Sequence, residues 1–340
     1  MEQRRLGNSG IVVSSIGLGT MTFGLQADKD ESYRIMDAAV EAGIDFFDTA
    51  EIYPVPPTKE LAGLTEKWIG EWMQDKSINR ESLIIATKIA GPAHGWFNPP
   101  VRSGKAAIDG FSIRRAIEGS LKRLKTDYID LYQIHWPDHG MRPLDAIETL
   151  DNLIREGKIR AYGLSNDTCY GLMEWLSEAD AAGLRRADTI QNNFSVNNRR
   201  FEDELSTTCL AEGVSSLPYS PLAGGVLAGK YNDGAKPEGA RFTQYLNGPK
   251  RQQKMASRFI NERSIANTKA ITAIAQREGI DPVTFAIAWS KQHDFVASTL
   301  IGVSSLAQLP AHLAAADITI SDSVIQEINQ LTTANLYPMG

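Results

Sequence analysis

Cysteine is nearly absent. Cys169 and Cys209 are the two thiols in 340 residues, too few for a disulfide framework and without the CxxC spacing of a metal site. An excess of positive charge is missing too. Lys and Arg total 35 against 41 Asp and Glu, the formal charge is −6 and the pI about 5.5. No basic run is long enough to track a phosphate backbone, so a nucleic-acid partner is not expected. No apolar stretch reaches the roughly 18 residues that a membrane span needs, and the opening MEQRRLGNSG lacks the apolar core of a signal peptide. The expected setting is reducing, cytoplasmic and away from membranes. No linker or low-complexity segment breaks the chain, so one domain spanning residues 1–340 is expected.

What the chain does have is alternation. Short β-rich apolar runs fall at Ile16–Gly19, Ile44–Asp48, Leu83–Lys88, Tyr128–His135, Ile159–Ser165, Thr189–Asn192, Val214–Ser220 and Ser298–Ile301. Between them lie stretches with apolar residues at three and four residue spacing, such as Glu31–Ala42, Glu60–Met73, Ile113–Lys125, Leu144–Arg155 and Cys169–Ala182. Strand then helix, repeated eight times in this length, predicts an α/β fold built as a single closed (β/α)8 barrel of TIM type with parallel strands. Two segments lie outside the repeat, Gly91–Gly110 and Ala223–Met255, before helical patterns resume at Asn261–Arg277 and Pro282–Lys291. Both follow strands. In such a barrel they become long loops on the face where active sites sit.

Three runs finish on ionisable residues, Asp48, Lys88 and His135, and Tyr53 lies one loop beyond the first. Singly, Asp48 reads as a helix cap, Lys88 as a solvated side chain and His135 as a core residue beside Trp136. Together on one barrel face they have a specific chemistry. A free tyrosine has a pKa of about 10, and a neighbouring cation favours its phenolate. Lys88 is expected to be that cation, with Asp48 keeping the buried ammonium charged. A neutral His135 donates an N–H to a substrate carbonyl while Tyr53 delivers the proton. The site suits carbonyl reduction by an external hydride.

DxxxxY with a strand-ending Lys and a strand-ending His resembles the catalytic tetrad of the aldo-keto reductases. The resemblance extends through GLGTM at Gly17–Met21, GLSN at Gly163–Asn166, IQNNFS at Ile190–Ser195, YSPLAGGVLAGKY at Tyr219–Tyr231 and IGVSSLAQL at Ile301–Leu309. AEIYPVPP at Ala50–Pro57 and FVASTLIG at Phe295–Gly302 are most similar to the bacterial Tas-like branch. The resemblance implies NADPH bound across the barrel mouth without a Rossmann fold, in contact with Asp48. Its nicotinamide would stack on Tyr219, its carboxamide would meet Ser165, Asn166 and Gln191, and Gly19, Thr20 and Met21 would line that half of the site. Ser220, Leu222 and Gly224 would lie beside the pyrophosphate, with Lys230 and Arg241 as cations in a loop closing over it.

Gly224–Lys230 also spells GxxxxGK, but Tyr231 stands where a P-loop needs Ser or Thr. Gly17-x-Gly19 fails as a dinucleotide fingerprint because position 22 is Thr. At the adenine end the matching residues are Gly302, Ser304, Gln308 and His312, with hydroxyls, an amide and helix N–H groups in place of the usual basic residue. NADPH is preferred and NADH use stays open. Trp96, Phe97 and Trp136 suggest an aromatic pocket for a bulky carbonyl or alcohol substrate. No metal is expected. Two other readings remain: a cofactor-sensing subunit resembling the potassium-channel β subunits, and a barrel isomerase acting on a phosphorylated substrate. The physiological substrate, reaction direction and oligomeric state are not encoded in any motif.

Overall fold

Successive residues of a strand face opposite sides of a sheet, and this alternation orders the architecture seen in a computed structural model, which describes residues 1–92 and 98–339. An antiparallel hairpin comes first, β1 (Gln3–Arg5) and β2 (Val12–Ser14). Eight parallel strands follow: β3 (Ile16–Gly19), β4 (Phe46–Asp48), β5 (Ile84–Ile89), β6 (Ile129–Ile134), β7 (Ile159–Ser165), β8 (Thr189–Gln191), β9 (Ser215–Ser216) and β10 (Thr299–Ile301). They pair in the order β10-β3-β4-β5-β6-β7-β8-β9. The curled sheet brings its edges together: Ser216 bridges Val296, Tyr219 bridges Leu300, and the Leu300 N–H donates to the Pro218 carbonyl at 2.8 Å. The expected seventh run at Val214–Ser220 is regular only over Ser215–Ser216. Pro218 has no N–H to extend the ladder.

Inward positions of the lower half are apolar. Phe46, Ala86, Leu131, Ala161, Leu217 and Leu300 form one buried cluster, closed from below by Leu6, Ile11 and Val13 of the hairpin. Two residues further along the same strands the inward positions turn polar, at Asp48, Lys88, Gln133 and Tyr219. The outer sheet face and the helices make the larger core.

The helices are α1 (Lys29–Glu41), α2 (Leu64–Asp75), α3 (Gly110–Leu124), α4 (Leu144–Arg155), α5 (Cys169–Ala182), α6 (Leu205–Glu212), α7 (Arg241–Leu246), α8 (Lys250–Phe259), α9 (Glu262–Arg277), α10 (Pro282–Lys291), α11 (Leu309–Leu313) and α12 (Asp322–Ala334). In α3, Asp109 caps the start by accepting the Ser112 N–H, and Ile113, Ala116, Ile117, Leu121 and Leu124 form the buried stripe. The expected helix from Glu60 begins only at Leu64, because Gly63 takes a left-handed φ of 83° and leaves the preceding residues in turns. Within the second insertion α7 and α8 are ordered helices, where the sequence suggested only a loop. No helix among the described residues is long and apolar enough to cross a membrane.

Candidate active site

Asp48 ends β4 and Lys88 lies near the end of the adjacent strand β5, both pointing into the sheet interior. The Lys88 Nζ donates to Asp48 Oδ1 at 2.5 Å and to the Thr49 carbonyl at 2.8 Å, with no solvent exposure of the lysine. Burial lowers the Lys88 pKa from its ordinary value, and the Asp48 charge opposes that shift. The second Asp48 oxygen accepts from two amides, Gln133 Nε2 at 3.0 Å and Gln191 Nε2 at 2.8 Å. Beneath them Thr20 donates its hydroxyl to the Asp48 carbonyl at 2.9 Å. Thr20 is fully buried, so it supports Asp48 from below where the sequence placed it on the pocket wall.

Tyr53 follows β4 on a short turn and packs with Ala50, Ile52 and Ala90 against Met21, Val55, Val101 and Trp136. Lys88 Nζ lies 5.0 Å from the centre of its ring. The expected depression of the phenol pKa by Lys88 is not what the resting site shows. Burial, and then the nearby Asp48 charge, push the Tyr53 pKa well above its ordinary value, with Arg241 in opposition. The Lys88 ammonium is committed to Asp48 and Thr49 instead. Tyr53 therefore holds its proton at neutral pH.

His135 immediately follows β6. Its ring stacks on Trp136 at 3.8 Å between centroids and meets Tyr53 edge-on at 5.7 Å. Burial and the Lys88 charge drive the imidazole pKa well below 6.5, so the ring is neutral. Its Nδ1 is buried without a hydrogen-bond partner. A buried orphan lone pair is cheaper than an orphan N–H, which places the proton on Nε2. The four residues singled out at strand ends thus converge.

Ser165, Asn166, Gln191 and Tyr219 form a contiguous patch beside them. Ser165 Oγ donates to the Gln191 carbonyl at 2.8 Å. Asn166, held at φ 58°, donates Nδ2 to the His135 carbonyl at 2.9 Å and to Ser165 Oγ at 3.1 Å. The Tyr219 hydroxyl donates to Asn166 Oδ1 at 2.7 Å, pinning the ring.

The second insertion sits at the mouth. Arg241 opens α7, and its charge reaches Tyr53 and Lys230. Among the described residues its side chain has no hydrogen bond or salt bridge. The Lys230 amine lies over Gly225, where an added Cβ would come within 2.7 Å of Nζ. Ser220 carries a left-handed φ of 56° and Leu222 is half-buried. Gly224 serves packing: it has φ 65°, and a Cβ there would lie 2.5 Å from the Phe242 ring of α7.

The adenine end departs furthest from expectation. Ser304 and Gln308 bond to each other, the Ser304 N–H reaching Gln308 Oε1 at 2.9 Å. The Leu306 N–H donates to Glu31 Oε1 of α1 at 2.6 Å. Helix donors that the sequence left open for a phosphate are therefore occupied, one of them by a carboxylate that also pairs with Arg34. His312 is buried, its Nδ1 on the Gln308 carbonyl at 2.8 Å and its Nε2 unpaired. Gly302 is exposed with open space around it, and Gly19 comes close to the Ile301 carbonyl. Trp96 and Phe97 lie outside the described residues.

Three contributors escaped the sequence reading. Gln133 occupies the inward position two residues before His135, a signal present in the alternation of YIDLYQIH. Glu51 was passed over between Asp48 and Tyr53. It accepts the Ala90 N–H at 2.6 Å and grips both amino groups of Arg102, at 2.9 and 2.7 Å, tying the first insertion to the site. Glu31 gave no local signal, since its partner is 275 positions away.

Comparison with known proteins agrees with this geometry. Residues 15–333 match the Aldo/keto reductase family. The chain is 40% identical to Protein tas of Escherichia coli (strain K12) and to Protein tas of Shigella flexneri, with 99% of each chain covered. It is 32% identical to the Uncharacterized oxidoreductase YrpG of Bacillus subtilis (strain 168), covering 97% of this chain and 96% of that one. The protein belongs to the aldo/keto reductase family of oxidoreductases and is Tas-like within it.

Proposed function

We propose that the protein is an NADP(H)-dependent oxidoreductase interconverting aldehydes or ketones and alcohols, on a single (β/α)8 barrel domain spanning residues 1–340. The observation that supports it most is the convergence of a buried Lys88–Asp48 pair, a protonated Tyr53 and a neutral His135 at the strand ends.

The residues present fit a nicotinamide cofactor. Tyr219 offers an aromatic face held by Asn166, and the side chains of Ser165, Asn166 and Gln191 keep lone pairs for a carboxamide. Lys230 and Arg241 supply positive charge for a pyrophosphate. When bound, the reduced cofactor supplies the hydride. His135 Nε2–H holds the substrate carbonyl oxygen and polarises it. Tyr53 gives that oxygen its proton. The phenolate left behind faces the Lys88 ammonium 5.0 Å from its ring and the Arg241 charge, which limits the cost of forming it. Asp48 keeps the ammonium in place throughout. A 2′-phosphate must take the Ser304 and Leu306 N–H groups from Gln308 and Glu31, which leaves NADH as a competent alternative. Trp136, stacked on His135, and Val101 beside Tyr53 suit bulky aromatic carbonyls.

Loss of NADPH absorbance with an aromatic aldehyde tests the reading. Tyr53→Phe should lower turnover by roughly 10²- to 10⁴-fold while leaving cofactor binding intact. Wild-type rates in that variant would refute the assignment of the proton donor.

A further inference from the structure

Two acceptor-only groups fix every amide beside the strand-end cluster. A carboxylate accepts and never donates, so the Gln133 and Gln191 atoms at 3.0 and 2.8 Å from Asp48 Oδ2 are both NH2 groups. The Gln133 carbonyl oxygen then faces Gln191 Nε2 at 3.2 Å and accepts its second hydrogen. Gly163, the β7 residue in register with Gln133, has no side chain to stand between them. By the same logic the Asn166 atom on the His135 carbonyl is NH2, and its second hydrogen goes to Ser165 Oγ. The Ser165 hydroxyl hydrogen goes to the Gln191 carbonyl. All five side-chain hydrogens of Ser165, Asn166 and Gln191 are thereby spent inside the protein. What remains toward a ligand is a face of lone pairs.

We propose that Gln133 is a positioning residue that consumes the last free hydrogen of Gln191, making this face an acceptor-only surface selective for a ring substituent that carries NH2. The inference rests on the reading of Ser165, Asn166 and Gln191 as the carboxamide site. It adds a residue with no assigned role and a chemical rule: a substituent offering only a carbonyl oxygen meets lone pair against lone pair. Removing the Gln133 amide returns one N–H to Gln191 and relaxes the rule. A carboxyl at position 133 still offers an oxygen to Gln191 and preserves it. In its protonated form that carboxyl also donates to Asp48, as the amide does.

The test compares dissociation constants of two oxidised dinucleotides whose rings carry the same charge, measured by calorimetry without turnover: NADP+ and its 3-acetylpyridine counterpart, in which methyl replaces the carboxamide NH2. The wild type should prefer NADP+ by about tenfold or more, the scale set by leaving a buried polar group unpaired. Gln133→Met should shrink that ratio at least threefold, and Gln133→Glu should keep it. An unchanged ratio in Gln133→Met, or a collapsed ratio in Gln133→Glu, overturns the proposal; if Gln133→Met fails to fold, the second variant decides alone. Equal binding of both analogues to the wild type sinks this inference and leaves the cofactor reading standing. Binding of neither analogue sinks both.

Discussion

Replacing Lys88 with methionine removes one partner of a pair in which the lysine side chain is 0% and the Asp48 side chain 4% exposed. The Asp48 carboxylate would keep its bonds from Gln133 and Gln191 on Oδ2 but lose the 2.5 Å bond on Oδ1. Thr49 would lose a partner for its carbonyl as well. Breaking a buried ion pair from one side costs about 3–5 kcal/mol, and the two surviving amide bonds place Lys88→Met at the lower end of that range. Adding Asp48→Asn removes the stranded charge while keeping an oxygen for the amides, so Lys88→Met/Asp48→Asn should recover most of the loss. Turnover should not recover, because both variants lack the Lys88 ammonium beside the phenol and keep only the Arg241 charge. The assay is chemical denaturation of wild type, both single variants and the double variant, beside steady-state rates. A Lys88→Met penalty below about 1 kcal/mol, or a double variant no more stable than the single, would refute the view that the pair is a mutually dependent unit.

Other consequences can be measured separately. His135 stays neutral when folded and has an ordinary affinity for protons when unfolded, so its stabilising contribution is present above pH 6.5 and is lost as pH falls. Denaturation at stepped pH should show the wild type losing up to about 1.4 kcal/mol more per unit below that point than His135→Gln. His312, buried and depressed in the same direction, is common to both proteins and cancels. Glu31→Gln removes the carboxylate that occupies the Leu306 N–H; the NADPH dissociation constant should fall several-fold relative to that of NADH, the scale of one half-exposed charge contact, and an unchanged ratio would show that Glu31 does not face the 2′-phosphate. Gly224→Ala combines a left-handed backbone with a 2.5 Å clash against Phe242. It should cost about 1–3 kcal/mol and speed proteolytic cleavage between residues 223 and 260; wild-type resistance would argue against that packing.

The parts legible in the sequence share one property: each depends on spacing along a single element. Short β-rich apolar runs located all eight parallel strands, and the polar residues that end three of them, Asp48, Lys88 and His135, followed directly. Apolar spacing of three and four located the main helices. The parts that escaped depend on what crosses between elements. Nothing near Glu31 announces that it caps a segment 275 positions away, and nothing near Thr20 shows that its hydroxyl is spent on the Asp48 carbonyl. The Tyr53 pKa went the other way for the same reason. The sequence places a cation nearby, but only the packed site shows that Lys88 aims at Asp48 and that burial outweighs it. Gln133 lay between these cases, on the inward parity of β6 and yet unremarkable until Asp48 and Gln191 were seen on either side of it.

The clasp between Glu51 and Arg102 divides the molecule's capacity for change. Glu51 stands two residues before the phenol and holds the far limb of the first insertion through Arg102 and the near limb through the Ala90 N–H. Both ends of the excursion are pinned to the same carboxylate. A replacement at Val101, which packs beside Tyr53, changes that wall while both ties to Glu51 stay in place, so new substrate ranges can be tried while the proton donor stays aimed. The reverse holds at Glu51 itself, whose loss removes all three bonds at once and disturbs the turn that carries the reacting hydroxyl.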